Sequence, residues 1–191
     1  DFFMTMVGNR DVDGIHLDGA DDPGVGSLAG AVAGYYANLF PGDPPKVIVV
    51  ESCAADCLYK GAVAGDGSPR KVGGDLATIM AGLACGEANT ISWDILRNHA
   101  FAFASCPDWV SAKGMRMLAA PLPGDAAVVS GESGAVGLGL LAALCEDAGQ
   151  EAFKKALGLD SDSVALMFST EGDTDPENYR RIVWDGGYPS C

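Results

Sequence analysis

Three short stretches rich in glycine and hydroxyl-bearing residues are the strongest candidates for ligand binding in this sequence. They span residues 24–28 (GVGSL), 130–134 (SGESG) and 169–173 (STEGD). Glycine allows successive backbone N–H groups to converge on one point, and the N-terminus of a following helix adds a positive dipole end. The first stretch therefore predicts a cradle for a phosphate or a carboxylate. A plain tight turn that packs a helix against a sheet is the alternative that these residues leave open.

Other common binding and catalytic motifs are not matched. No GKS or GKT sequence follows the first stretch, as a nucleotide-binding P-loop requires, and Gly30 falls one residue too late for the dinucleotide-binding pattern GxGxxG. The 130–134 stretch lacks the GxSxG order of a nucleophile elbow. The two histidines, His16 and His99, are expected to be surface or packing residues rather than catalytic bases.

Strands that alternate with helices are expected to position these stretches. Apolar runs that end in turns predict strands at residues 15–17, 47–50, 127–129 and 164–168. Helical periodicity and end signals predict helices at residues 27–39, 54–63, 75–83, 92–103, 108–118, 135–145, 151–157 and 176–184. The pattern indicates an α/β fold with a mostly parallel sheet, in which ligands bind outside the carboxyl ends of the strands. We therefore expect the three stretches to converge at one end of the sheet.

Carboxylates also follow the predicted strands closely. The four at the strand exits are Glu132, Glu171, Asp173 and Asp175. Such residues most often cap helix N-termini, where the dipole favours negative charge, and the alternative is that they touch a bound cofactor.

The composition indicates a globular protein that is not expected to bind polyanions. The chain has 191 residues, of which 48% are hydrophobic and 20% charged, with a formal net charge of −14. This charge repels phosphate backbones and anionic lipid, so neither nucleic acid nor a membrane is an expected partner. The uncharged stretch 23–42 has GxxxG spacing but is flanked by prolines, which favours a buried helix over a membrane span. The six cysteines are too sparse for a disulfide scaffold, which predicts reduced thiols and a cytoplasmic location.

Three longer strings closely resemble the diaminopropionate ammonia-lyases. The strings are 73–87 (GGDLATIMAGLACGE), 130–139 (SGESGAVGLG) and 169–175 (STEGDTD). That family consists of pyridoxal-phosphate lyases with the tryptophan-synthase-β (type II) fold. The resemblance implies a three-layer αβα arrangement like the C-terminal part of the large domain of these enzymes. It extends from residue 24 to residue 184 and covers only the C-terminal half of the family's length.

The resemblance implies that pyridoxal 5′-phosphate is the cofactor and that particular residues bind it. The matching glycine loop would hold the cofactor phosphate through Gly24, Val25, Gly26, Ser27 and Leu28. Thr170, beside Ser169, matches the hydroxyl residue that hydrogen-bonds the pyridine nitrogen in dehydratase-like relatives. Glu132 and Asp75 would border the cofactor from neighbouring loops.

The cysteines and one buried-strand acid give further expectations. Cys53 and Cys57 have the spacing to meet on one helix face, but no second ligand pair completes a zinc site. Glu51 resembles the first ligand of a cation site in serine-racemase-like relatives, yet Cys57 stands where a second acid is expected, so no metal is predicted. Cys57 and Cys85 both fall near loops expected to flank the pocket mouth. A disulfide between them is a hypothesis that requires Cα atoms within about 7 Å of each other.

The Schiff-base lysine of this family lies far upstream, so no catalytic residue is expected in this chain. The chain begins at Asp1 rather than Met. Residues 1–191 are therefore expected to be a single partial domain of a longer polypeptide, inactive alone and homodimeric when complete. The resemblance implies that the complete enzyme acts on a small amino acid, converting 2,3-diaminopropionate to pyruvate and ammonia. The alternatives are another type II serine or threonine dehydratase, or a non-catalytic cofactor-binding fragment.

Overall fold

Four parallel strands form the central sheet of the described part of the chain. The computed structural model describes the backbone of residues 2–6 and the whole of residues 25–190. The strands are β1 (Phe2–Met6), β2 (Lys46–Ser52), β3 (Ala100–Cys106) and β4 (Ala165–Met167). They lie in the order β3-β2-β1-β4, and each neighbouring pair is parallel. The predicted strand at residues 15–17 lies outside the described residues.

Seven α-helices accompany the sheet within the described residues. They are α1 (Ser27–Leu39), α2 (Cys57–Ala64), α3 (Thr90–His99), α4 (Asp108–Ala119), α5 (Glu132–Glu146), α6 (Glu151–Leu157) and α7 (Pro176–Val183). The bounds predicted for α1 and α6 are confirmed. None of the helices in the described ranges is both long and apolar enough to cross a bilayer.

The order of the strands divides the helices into two layers. From β1 to β3 the chain moves across the sheet in one direction, and it then returns past β1 to β4 through α4, α5 and α6. Because crossovers between parallel strands are right-handed, this reversal places the returning helices on the opposite face of the sheet. The predicted α/β class and three-layer αβα arrangement are confirmed, with α1 packed on α3 and α4 packed on α5. The reversal point lies between β1 and β4, where open α/β sheets bind their ligands.

Strand β2 lies in the centre of the hydrophobic core. Its Val47–Val50 run is at most 3% exposed, as a continuous β-branched run predicts for a parallel strand covered on both faces. Side chains from α2, α3 and the loop before α3 pack around it, among them the fully buried Leu58, Leu96 and Met80. The core therefore holds the carboxyl ends of the strands rigidly.

Two glycines allow α4 and α5 to touch backbone to backbone. A Cβ added at Gly114 of α4 would overlap the carbonyl oxygen of Ala135, and one added at Gly139 of α5 would overlap the carbonyl oxygen of Val110. Any larger residue at either position would push the helices apart. The crossing fixes the first half of α5 against the first half of α4.

One strand prediction and one helix prediction differ from the structure. Residues 127–129 form an irregular segment rather than a strand, and Val128 and Val129 are 40% and 52% exposed. The helix predicted over residues 92–103 is α3 followed directly by the edge strand β3. The alternating small and aromatic residues of β3 pair with β2, and this long-range partner decides their conformation.

We expect Gly114→Ala to lower the free energy of unfolding by about 2 kcal/mol or more, because the new methyl group meets backbone atoms that cannot move aside cheaply. Urea denaturation followed by circular dichroism measures the effect. Gly73→Ala is the matched control, since an added Cβ there meets nothing within 4 Å. Equal stability of the two variants would contradict a backbone-to-backbone crossing of α4 and α5.

Candidate functional site

The glycine turn before α1 is held by the loop that precedes α3. The N–H of Val25 donates to the carbonyl oxygen of Glu87 (2.7 Å), and the carbonyl of Val25 accepts from the N–H of Asn89 (2.9 Å). Both backbone groups of Val25 are therefore occupied, and its side chain is buried. Gly26 follows with φ of +109°, a conformation that favours glycine.

The N-terminus of α1 is open to an anion. The first N–H groups of a helix have no partner within it, and no side chain of the described residues caps this end of α1. Its first turn contains no acidic residue, and both Ser27 and Leu28 are only half-buried. Gly24 lies outside the described residues. The amides of Ser27 and Leu28, with the serine hydroxyl, can therefore surround a phosphate group.

The other two predicted stretches meet each other. The Ser169 hydroxyl donates to the Ser130 hydroxyl oxygen (2.8 Å), and the N–H of Gly131 donates to the carbonyl oxygen of Glu171 (3.0 Å). A Cβ on Gly131 would lie 2.7 Å from Cγ of Glu171, so a larger residue at this position would displace the Glu171 side chain. The second and third stretches therefore meet just after β4, as the prediction that all three stretches converge at one end of the sheet requires.

The first stretch lies at the same end of the sheet, where the strands have their carboxyl termini. Helix α1 connects the parallel strands β1 and β2, so it begins at the carboxyl end of the sheet and runs back to the amino end. A Cβ added at Gly26 would have Leu96, Leu58 and Ser92 as its nearest neighbours, and these residues belong to α2 and α3. Its approach to the other two stretches stays a prediction, supported by the adjacency of β1 and β4.

Glu132 is the first residue of α5 and is held by two neighbouring helices. Its Oε1 accepts a hydrogen bond from Nδ2 of Asn178 (2.5 Å) in α7, and its carbonyl oxygen accepts one from the Ser111 hydroxyl (2.5 Å) in α4. Thr170 is exposed next to this region. The side chains at the carboxyl end of β4 are thus polar and reachable from solvent.

Asp75 lies in an exposed loop, where the sequence predicts a helix over residues 75–83. That prediction is wrong, since only a short 3-10 turn forms at Ala81–Leu83. The Asp75 carboxylate accepts from the N–H of Ala77 (3.2 Å), and the next residue, Leu76, has φ of +49°. This local hydrogen bond competes with helix formation, as Asp side chains often do.

The N-terminus of α4 fixes the loop that carries Asp75. Asp108, the first residue of α4, accepts from the Thr78 hydroxyl (2.5 Å) and from the N–H of Ile79 (3.2 Å). Sequence reasoning missed Asp108 and Asn178 as residues of this region. An acid at the start of a predicted helix is a signal for Asp108, whereas nothing local to the sequence signals Asn178.

Glu51 is a buried carboxyl group that caps α2. It is 1% exposed and accepts from the N–H groups of Leu58 (3.1 Å) and Tyr59 (2.7 Å). Burial raises the pKa of Glu51 to about 7, with a further contribution from the negative charge of Asp56 and opposition from the two backbone hydrogen bonds. Each oxygen of the Glu51 carboxyl group therefore accepts one backbone hydrogen bond from the start of α2. Within the described residues, no group of three metal-ligating side chains was found.

The predicted disulfide between Cys57 and Cys85 is not formed in this structure, where both are free thiols. The Cys57 sulfur lies 3.9 Å from the carbonyl oxygen of Cys85 and 3.8 Å from Oε1 of Glu51. Burial, and secondly the Glu51 carboxylate, raise the pKa of Cys57 to about 12. Cys53 precedes α2 and is exposed, so it does not share a helix face with Cys57. His99 is exposed at the end of α3, as predicted for a surface residue.

The raised pKa of Glu51 predicts a pH dependence of folding. The folded state binds the Glu51 proton more tightly than the unfolded chain does, so the contribution of Glu51 to stability falls as the pH rises from about 4.5 to about 7 and is constant at higher pH. Relative to Glu51→Gln, the unmodified chain should lose about 3 kcal/mol across this range. Urea denaturation between pH 4.5 and 8 measures the difference.

Glu151→Gln is the control for this titration, because the side chain of Glu151 is 73% exposed. It should leave the pH profile of the unmodified chain unchanged. A constant difference between the unmodified chain and Glu51→Gln over the whole range would contradict the raised pKa.

Several known proteins are similar to this chain in both sequence and fold. Residues 23–162 match the family of pyridoxal-phosphate dependent enzymes. The chain is 51% identical over 164 residues to a diaminopropionate ammonia-lyase of Salmonella typhimurium and 50% identical over 163 residues to that of Escherichia coli K12. These alignments cover 85% of this chain but only 41% and 40% of the two relatives, so the chain spans about two fifths of their length.

Solved structures of related enzymes have the same fold as this chain. The crystal structure of diaminopropionate ammonia-lyase from Escherichia coli in complex with D-serine superposes with a TM-score of 0.80 at 40% identity, covering 98% of this chain and 42% of that one. A threonine deaminase from Solanum lycopersicum has the same fold at 16% identity, with a TM-score of 0.69 over 97% of this chain and 44% of that chain. This chain therefore belongs to the family of pyridoxal-phosphate dependent enzymes.

Proposed function

We propose that this chain is the C-terminal part of a lyase that converts 2,3-diaminopropionate to pyruvate and ammonia. In this proposal residues 1–191 form one partial domain, and the remaining part of the enzyme supplies the catalytic lysine. The identity of 50–51% to diaminopropionate ammonia-lyases supports the substrate. The complete enzyme is proposed to be a cytoplasmic homodimer, as the resemblance implies.

The observation that carries the proposal is the open N-terminus of α1. Its first amides, which no side chain of the described residues caps, and the positive end of its dipole suit the cofactor phosphate, which Gly26, Ser27 and Leu28 would hold. The proposal keeps Gly24 in the same loop, whereas the amide of Val25 is already bonded to Glu87. Backbone N–H donors allow an acidic chain to bind a phosphate, because they do not require a cluster of lysine side chains at the site.

The cofactor ring would lie toward the carboxyl end of β4. Thr170 would hydrogen-bond the pyridine nitrogen, with Ser169, Glu132 and Asp75 at the border of the site. When bound, pyridoxal phosphate supplies an electron sink for negative charge that develops on the amino-acid substrate. A neutral hydroxyl at Thr170 would leave the ring nitrogen without the proton that a carboxylate there would favour.

The lysines of this chain are poorly placed to form the Schiff base. Five of the six contact a carboxylate or a helix-end carbonyl: Lys46, Lys60, Lys71, Lys113 and Lys154. A protonated amine held in this way is a weak nucleophile. Lys155 lies on α6. The end of α6 contacts Lys46 at the start of β2, and this places α6 at the amino end of the sheet, opposite the proposed site.

Exposed apolar residues support the proposal that another part of the enzyme covers this domain. Leu122, Val128 and Val129 are 76%, 40% and 52% exposed and lead directly into the 130–134 stretch. Extended apolar segments exposed in this way mark contact surfaces. The upstream half of the enzyme would cover them and complete the substrate pocket.

We expect the isolated chain to bind pyridoxal phosphate weakly and without covalent attachment, and Gly26→Ala to weaken that binding about tenfold or more. The substitution strains a turn at φ +109° and misdirects the amides that would hold the phosphate. Calorimetric titration with pyridoxal phosphate, and with pyridoxal as the ligand that lacks the phosphate, measures the effect.

Gly65→Ala is the matched control for strain. Gly65 also has positive φ, at the end of α2, and an added Cβ there meets nothing within 4 Å. Equal binding by both variants, or equal affinity for pyridoxal and pyridoxal phosphate, would contradict the phosphate site.

Sustained pyruvate release from diaminopropionate by the chain alone, abolished by replacing one of its lysines, would refute the assignment of the catalytic lysine to another segment. Turnover of serine or threonine by the complete enzyme in preference to diaminopropionate would favour the dehydratase alternative.

A further inference from the structure

Helix α7 lies beyond the matched residues 23–162, yet one of its side chains reaches the proposed cofactor site. We propose that Asn178 is a positioning residue that holds the Glu132 carboxylate in place for cofactor binding. The inference rests on the proposed function, which puts Glu132 at the border of the cofactor. It adds a role for the segment between β4 and the end of the chain.

The hydrogen bonds define the orientation of the Asn178 amide. Its Nδ2 donates to Oε1 of Glu132 (2.5 Å), and its Oδ1 accepts from Nη2 of Arg181 (2.6 Å). A guanidinium group can only donate, so it requires the amide oxygen to face Arg181. The amide nitrogen must then face Glu132. Arg181 therefore fixes the orientation of the Asn178 amide so that its NH2 group, and not its oxygen, faces Glu132.

The helix that carries Asn178 is itself fixed at both ends. Asp175 caps α7 by accepting from the N–H of Asn178 (3.1 Å), and Arg181 also donates to the Tyr188 hydroxyl (3.0 Å). Arg116 of α4 donates to the carbonyl oxygen of Gly187 (2.9 Å). Because α4 also packs on α5, these bonds keep α7 and Glu132 in a constant relation.

A neutral donor at this position suits the charges around Glu132. Glu132 begins α5, where the helix dipole favours its negative charge, and the acidic side chains of Glu171 and Asp175 belong to the adjoining segments. An amide supplies a hydrogen bond without neutralising Glu132 and without adding a further negative charge. Among the described residues, the Glu132 carboxylate is bonded only through Oε1, to Asn178, so Oε2 remains available to a ligand.

A double-mutant cycle tests the role of Asn178. The dissociation constant for pyridoxal phosphate is measured for the unmodified chain, Asn178→Ala, Asn178→Asp, Glu132→Ala and the two combinations. We expect Asn178→Ala to weaken binding several-fold and Asn178→Asp to weaken it more, by about tenfold, because a second carboxylate repels Glu132. In the Glu132→Ala background both substitutions should have no further effect. Asn38→Ala, which removes an exposed amide of α1, is the control for folding.

The hydrogen bond is tested separately in the ligand-free chain by nuclear magnetic resonance. We expect the side-chain amide protons of Asn178 to exchange with water more slowly than those of the exposed Asn38, and to lose this protection in Glu132→Ala. Equal exchange of the two amides would overturn the inference. Weakening of binding by Asn178→Ala in both backgrounds would also overturn it, since that result indicates only that α7 stabilises the fold.

The two proposals fail in different ways. If the unmodified chain does not bind pyridoxal phosphate, the proposed function fails and the positioning role fails with it. If the chain binds the cofactor but the cycle shows no coupling between Asn178 and Glu132, only the positioning role is refuted.

Discussion

The close contact between α4 and α5 is the constraint on which the candidate site depends. Gly114 and Gly139 let the two backbones touch, and this contact determines where α5 begins. The first turn of α5 then lies against the segment that follows β4, where Ser130 and Ser169 are hydrogen-bonded. The same packing brings α7 within reach of Glu132 through α4. A wider spacing of α4 and α5 would move the start of α5 away from Ser111 and from α7.

The topology and the charge distribution together explain how an acidic protein could bind an anionic cofactor. The net charge is −14, so a general attraction for phosphate is absent. The first turn of α1 has no acidic residue, and its amides, which have no partner within the helix, lie at the carboxyl end of the sheet. A short-range site made of backbone dipoles can bind phosphate despite the surrounding charge, because it acts through directed hydrogen bonds.

The sequence predicts those parts of the fold that depend on local signals. The glycine turn and Pro41 bracket α1, and the β-branched run Val47–Val50 marks the central strand. Local signals fail where a distant partner decides the conformation. β3 is a strand because β2 pairs with it, although its alanines favour a helix. The Asp75 loop takes its shape from its own hydrogen bond to Ala77 and from Asp108, about thirty positions later. The bond between Asn178 and Glu132 joins helices that are far apart in the chain, so no spacing rule could reveal it.

The proposed function requires that the start of α1 and the carboxyl end of β4 form one binding site for pyridoxal phosphate. A titration of the isotope-labelled chain with pyridoxal phosphate, followed by the backbone amide resonances, tests this claim most directly. We expect the amide resonances of Gly26, Ser27 and Leu28 to shift together with those of Ser169 and Thr170, with one common dissociation constant. Shifts confined to one of these two groups, or two distinct dissociation constants, would contradict it.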